Sequence, residues 1–245
     1  MVSKNQLTSF DITKNTSLIW LSCYDNILTS LDVSKNTALT ELDCNTNPLT
    51  SLDVSANTAL TYLDCGHSQL ASLDVSNNTV LTRLQCHENL LTSLDVTANT
   101  ALTFLHCADN LLTSLDVSAN TALTVLYCAE NQLTSLDVSK NTALTWLSCW
   151  GNQLTSLDVS SNIALTYLMC SGNSLTYLNM RNGVTDKLNE FYASNNSSLT
   201  CIETLDPDYA TANWTSANGN IDAGVTFAVI CGGTDLTKWH VDPSG

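Results

Sequence analysis

Apolar residues recur along this chain at a fixed interval. Leu39, Leu42, Cys44, Leu49, Leu52 and Val54 are followed 21 residues later by Leu60, Leu63, Cys65, Leu70, Leu73 and Val75, and the pattern holds in register to about Gly172. Its skeleton, L-T-x-L-x-C-x-x-N-x-L-T-S-L-D-V-S-x-N-T-A, contains an inner repetition, LxxLxCxxN followed by LxxLxVxxN. A period of this length marks a solenoid, in which each coil buries its apolar face only by stacking on its neighbours. Each coil carries two short runs with period-2 alternation, Leu42–Cys44 and Leu52–Val54 in the type unit, each closed by a turn with Asn. The Leu and the Cys or Val point inward and the residues between them outward. The expectation is therefore a mainly β rod with two short parallel strands per coil, almost no helix in the array, and little curvature, because a strand on each side leaves neither side wider.

The first residues, Val2, Asn5, Phe10 and Asp11, already lie in register with Cys23, Asn26, Leu31 and Asp32, so the chain is expected to start in mid-repeat as a piece of a longer precursor. The array is assigned to residues 1–198, ending in an irregular coil with Ala193 in the cysteine column. A cap over the exposed end of the core follows at 199–231, and a tail or linker at 232–245.

LTELDCNTNPL resembles the leucine-rich-repeat segment LxxLxLxxNxL, with Cys in the last apolar slot, and the nested unit resembles the class whose second half reads LxxLDLxxN. The match runs eight times over in register across roughly residues 2–200. The segment from Leu199 to Cys231 is similar to the C-terminal cap of secreted leucine-rich-repeat proteins of the Bacteroidetes. This resemblance implies a right-handed leucine-rich-repeat solenoid, located outside the cell or on a bacterial surface, that recognises or adheres rather than catalyses.

Composition narrows the partners. The formal net charge is -15 with only eight Lys and Arg, so nucleic acid would be repelled, and no apolar run reaches the roughly 18 residues of a membrane span. Eight cysteines, Cys23 through Cys170, repeat every 21 residues at an inward position. Stacked in register they point the same way with Cβ atoms nearly 5 Å apart, too far for disulfides, so they read as buried free thiols, with a metal or redox column the alternative. Cys201 and Cys231 break the period and read as a disulfide pinning the cap, which would indicate an oxidising compartment. Two Asn columns, one from Asn26 to Asn173 and one from Asn36 to Asn162, read as structural groups that satisfy turn backbone.

The outward aspartates of the second run, Asp11 to Asp158, would repel one another by ~0.9 kcal/mol per neighbour even in water. Either nearby Ser hydroxyls and turn N–H groups offset this, or loosely held cations such as calcium do. No other cofactor is implied.

The first run differs from coil to coil. Its 24 outward positions hold 8 of the 16 aromatic residues. Trp20, Tyr24, Tyr62, Arg83, His87, Phe104, His106, Tyr127, Trp146, Trp150 and Tyr167 compose a candidate binding strip, with Tyr127, Trp146, Trp150 and Tyr167 its centre. The competing explanation is that these rings simply favour strands and pack on one another. No catalytic constellation is visible and no metal site is assigned. His87 and His106, with His67, come nearest to a zinc set, but their offsets within the coil differ. The function expected is a monomeric, non-catalytic extracellular module that binds a protein or glycan. The alternatives are a structural spacer or adhesin stalk whose activity lies in flanking domains and, as a minor reading, an ice- or mineral-binding surface.

Overall fold

The structure, a computed structural model, describes residues 2–232. The strands in chain order are β1 (Trp20–Ser22), β2 (Glu41–Asp43), β3 (Tyr62–Asp64), β4 (Arg83–Gln85), β5 (Phe104–His106), β6 (Val125–Tyr127), β7 (Trp146–Ser148), β8 (Ser156–Asp158), β9 (Tyr167–Met169), β10 (Tyr177–Met180), β11 (Glu190–Tyr192), β12 (Cys201–Thr204) and β13 (Thr226–Ala228). They form a mainly β solenoid of about ten turns. The front is a parallel sheet in the order β1-β2-β3-β4-β5-β6-β7-β9-β11, in strict register, with Leu42 opposite Leu63 and Leu84 opposite Leu105. That register follows from the sequence, because a slip of one residue would turn every Leu and Cys outward.

The core is a set of columns. Leu60, Leu63, Cys65, Leu70 and Val75 are fully buried, as are their counterparts in neighbouring coils. All eight repeating cysteines are free and buried. The two Asn columns act differently. In the first, Asn110 Nδ2 donates to the carbonyls of Cys86, Cys107 and Ala108, and its Oδ1 accepts the Leu91 N–H. In the second, Asn99 Nδ2 donates to Val75 and Asn78 carbonyls, while its Oδ1 is buried without a partner, as are those of Asn57, Asn78 and Asn120. A third ladder runs along the front edge, where each Thr hydroxyl, such as Thr82 and Thr103, donates to the carbonyl of the Thr one coil back.

The back departs from the expected second strand. Its runs are extended, but strands form only at the C-terminal end, in a four-stranded sheet ordered β13-β12-β10-β8. Over the preceding coils no backbone hydrogen bond joins one back run to the next among the described residues, and the coils are held there by Leu and Val packing and by the second Asn column, whose Nδ2 groups donate to carbonyls one coil back. Leu52, Leu73, Leu94, Leu115 and Leu136 accordingly keep 7–8% exposure, against 1% for Leu157 and 0% for Leu178 where strands pair. Grooves of about 430 Å³ and 340 Å³ open between adjacent back runs, one lined by Ser51, Leu52, Asp53 and Asp74, the other by Ser135, Leu136, Asp137 and Asp158.

The C-terminal end is closed by residues of different character. The helix α1 (Pro207–Asn213) starts on the Asp206 side chain, which accepts the Tyr209 N–H, and has Pro at its first turn, where no N–H is needed. Trp214 is buried against Phe191, with ring centroids 4.4 Å apart, and Phe227, at 5.8 Å. Cys201 and Cys231 are disulfide-bonded with Cα atoms 5.9 Å apart, and Glu203 accepts the Cys231 N–H while pairing with Arg181. Among the described residues no helix is long and apolar enough to cross a membrane. Of the segment expected as a tail, 233–245, with Trp239 and His240, lies outside the described residues.

Candidate functional site

The strands β1–β7 and β9 of the front sheet hold the candidate side chains by a simple device. Each is three residues long with a buried central Leu, so its flanking residues project from the sheet, and the residue after Cys projects beside them. The next position, two past Cys, has a left-handed backbone in every coil: Asp25, Thr46, His67, Glu88, Asp109 and Glu130 have φ between 47° and 57°, and Gly151 and Gly172 follow at 66° and 63°. Only the last two are residues for which this conformation is free of cost; each of the others costs on the order of 1–2 kcal/mol, less for Asp.

The rings of this face join into one path. His67 meets His87 edge-on at 4.8 Å between centroids, His87 stacks on His106 at 4.1 Å, and His106 lies 5.0 Å from Tyr127. Tyr127 leans on Trp146 at 5.6 Å, and Trp146 stacks on Tyr167 at 4.0 Å. Beside this path, the Arg83 guanidinium lies 3.6 Å over the Phe104 ring, which is 5.8 Å from Tyr127. The path crosses the sheet on a diagonal, from two positions after Cys at His67 to three positions before it at Tyr167. His87 tucks against bare backbone at Gly66, where a methyl group would sit 2.5 Å from its ring.

Electrostatics divide the face. Burial lowers the pKa of His87, and burial together with the neighbouring His87 brings His106 down to about 4, so both imidazoles are neutral at pH 7. His67 Nδ1 lies 2.7 Å from the Glu88 carboxylate. Toward the N-terminal end the face is acidic and hydrogen-bonded. Gln85 donates to Tyr62 Oη at 3.0 Å and to Asp64 at 2.8 Å, and Asn45 bridges Asp43 and Asp64. Burial, and then the charge of Asp64, push the Asp43 carboxyl up; burial and Glu88 do the same to Asp109.

The residues singled out in the sequence are thus only partly one site. His87, Phe104, His106, Tyr127, Trp146 and Tyr167 are joined, with Arg83 at their edge, and Tyr62 belongs to the acidic network. Trp150, 41% exposed, has no ring partner among the described residues. Trp20 and Tyr24 sit at the N-terminal end, Tyr24 beneath Lys4 at 5.7 Å. As zinc candidates His87 and His106 fail on geometry: two rings stacked 9° from parallel do not aim their lone pairs at one point. Among the described residues no group of three or more His, Cys, Asp or Glu is placed to hold a metal ion. The sequence reading missed the left-handed column and its carboxylates Glu88, Asp109 and Glu130. The signal was present: Gly at that position in two consecutive coils marks a backbone with positive φ.

No protein-family model matches the chain and no curated protein matches it significantly. Solved structures do. The functional domain of InlJ from Listeria monocytogenes, described as including a cysteine ladder, is 46% identical over 82% of this chain and 42% of its own, with a TM-score of 0.71. The leucine-rich-repeat protein LIC12759 of Leptospira interrogans shares the fold at 22% identity, covering 83% of this chain and 53% of its own, with a TM-score of 0.70. The plant peptide hormone receptor RGFR1, solved in complex with RGF2, does so at 19% identity, covering 79% and 36%, with a TM-score of 0.64. The chain spans about half or less of the length of each. The particular likeness to Bacteroidetes proteins finds no support in these comparisons. With its 21-residue coils, parallel front sheet, Asn columns and buried thiols, the chain belongs to the leucine-rich-repeat proteins.

Proposed function

We propose that this protein is a non-catalytic extracellular module that binds another protein through its front sheet. The observation that carries the reading is the contrast within one coil: the back repeats Ser-Asp-Ser almost unchanged, whereas the front places varied, mutually stacked rings on six consecutive coils. Flat amphipathic rings already held by their neighbours lose little side-chain entropy on contact, which suits them to anchor a partner. The disulfide in the cap fits an oxidising environment, at the cell surface or beyond it.

The test is a pull-down of surface proteins together with a glycan array, on the wild-type protein and on Trp146→Ala. Loss of a protein partner with an unchanged melting temperature is the expected result. Retained binding would move the site off this face, and capture of a glycan alone would replace the protein partner.

A further inference from the structure

The front carries two exposed carboxylates, Asp109 and Glu130, that are in no ion pair among the described residues. A row of carboxylates, Glu88, Asp109 and Glu130, flanks the aromatic diagonal on three consecutive coils, and each projects from a left-handed backbone position that Gly would occupy without cost. Between this row and the rings His106 and Tyr127 stand only Ala108 and Ala129, so no charged side chain intervenes. The ion pairs among the described residues are His67–Glu88 and Arg181–Glu203, and the second belongs to the cap. Arg83, the cation nearest the rings, is committed to Phe104 and to Gln85 Oε1 at 3.1 Å. Asp109 and Glu130 are exposed and, among the described residues, in no ion pair. The aspartates of the back differ, since each accepts the N–H of the residue two positions on, as Asp53 does from Ser55 and Asp95 from Thr97.

Building on the protein-binding reading, we infer that the partner is an extended, basic segment of polypeptide lying along the diagonal from His67 to Tyr167, its apolar side chains on the rings and its Lys or Arg side chains over Glu88, Asp109 and Glu130. Five steps between coils and the sideways drift give the diagonal a length of roughly 25–30 Å, the span of about eight extended residues. The segment supplies the positive charge that Asp109 and Glu130 lack, and the neutral imidazoles of His87 and His106 place no cation between His67 and Tyr127.

The experiment pans a phage-displayed random-peptide library on the wild-type protein and measures the selected peptides against variants. The inference expects sequences enriched in Lys and Arg interspersed with aromatic or aliphatic residues, with affinity lost in Trp146→Ala. Affinity should fall at least about tenfold in the double variant Glu88→Lys/Asp109→Lys, and comparably in about 0.5 M salt. The back variant Asp95→Lys/Asp116→Lys should leave it unchanged. If the front double variant melts early, Asp109→Asn/Glu130→Gln provides the same comparison without reversing charge. Peptides that depend on Trp146 yet show no basic enrichment and ignore the front charge variants would overturn the basic partner and leave the protein-binding reading standing. Equal losses from front and back variants would also overturn it, as general attraction to an acidic surface. Absence of any peptide dependent on Trp146 would overturn both.

Discussion

The two faces of this solenoid carry aspartates in very different circumstances. On the back, hydrogen bonds from the hydroxyl and N–H of the Ser or Thr two residues on hold Asp53, Asp74, Asp95 and Asp116 below the usual carboxylate range, outweighing repulsion along the column. On the front, burial and a neighbouring carboxylate push Asp43 and Asp109 above it. The back charges are satisfied within their own repeat and need no cation, so the Ser and N–H explanation of that column accounts for it without calcium. On the front, Asp43 and Asp64 are hydrogen-bonded by Asn45, Gly66 and Gln85, but Asp109 and Glu130 are in no ion pair among the described residues. The repeated back answers each of its carboxylates in the same way, whereas the varied front must answer each one separately.

The contrast can be tested in order of expected effect. The largest is in acid. Since His106 titrates near 4 in the folded protein and near 6.5 unfolded, the unfolded chain takes up the proton first; stability is complete above about pH 6.5 and falls as pH drops toward 4. Melting temperature measured across that window should decline in the wild type and flatten in His106→Phe, while Asp95→Asn on the back should not alter the slope. Next, Gly66→Ala drives a methyl into the His87 ring and should cost about 1–3 kcal/mol in denaturant unfolding, with no comparable cost for Ala71→Ser on the exposed back-side turn. Smaller and opposite in sign, Glu130→Gly relieves a left-handed backbone and should stabilise by about 0.5–1 kcal/mol while weakening binding of a basic peptide. The smallest effect should be Asp43→Asn, which removes a carboxylate disfavoured by folding. It should raise the melting temperature slightly at pH 7, less so in high salt, and Asp53→Asn on the back should not.

The core was legible in the sequence because it is periodic: Leu, Cys and Val at fixed offsets identify the inward columns, and the outward positions of the first run follow from alternation. The aromatic residues of the strip were likewise found from their columns. Their connection was not, because columns run along the rod and the stack runs across it. His67, His87, His106, Tyr127 and Trp146 join only when side chains from different offsets lean toward one another, and the decisive permissive residue is Gly66, whose role depends on what lies beside it in the next coil. The second strand was expected from the same alternation that predicts the first, but alternation reports which way a side chain points and not whether the backbone has a partner. Only the front has both Asn and Thr ladders to bring carbonyls and N–H groups within reach.

The eight buried thiols have a consequence for how the chain acquires its single crosslink. Ten cysteines would offer many wrong pairings under oxidising conditions, and exchange proceeds through the thiolate. Burial raises Cys107 and Cys149 to about 12, so once coils have stacked, their sulfurs are neither ionised nor reachable. In the folded chain, packing thus leaves eight of the ten sulfurs out of reach. Cys201 finds Cys231 by elimination: the interior withdraws every other sulfur from the chemistry.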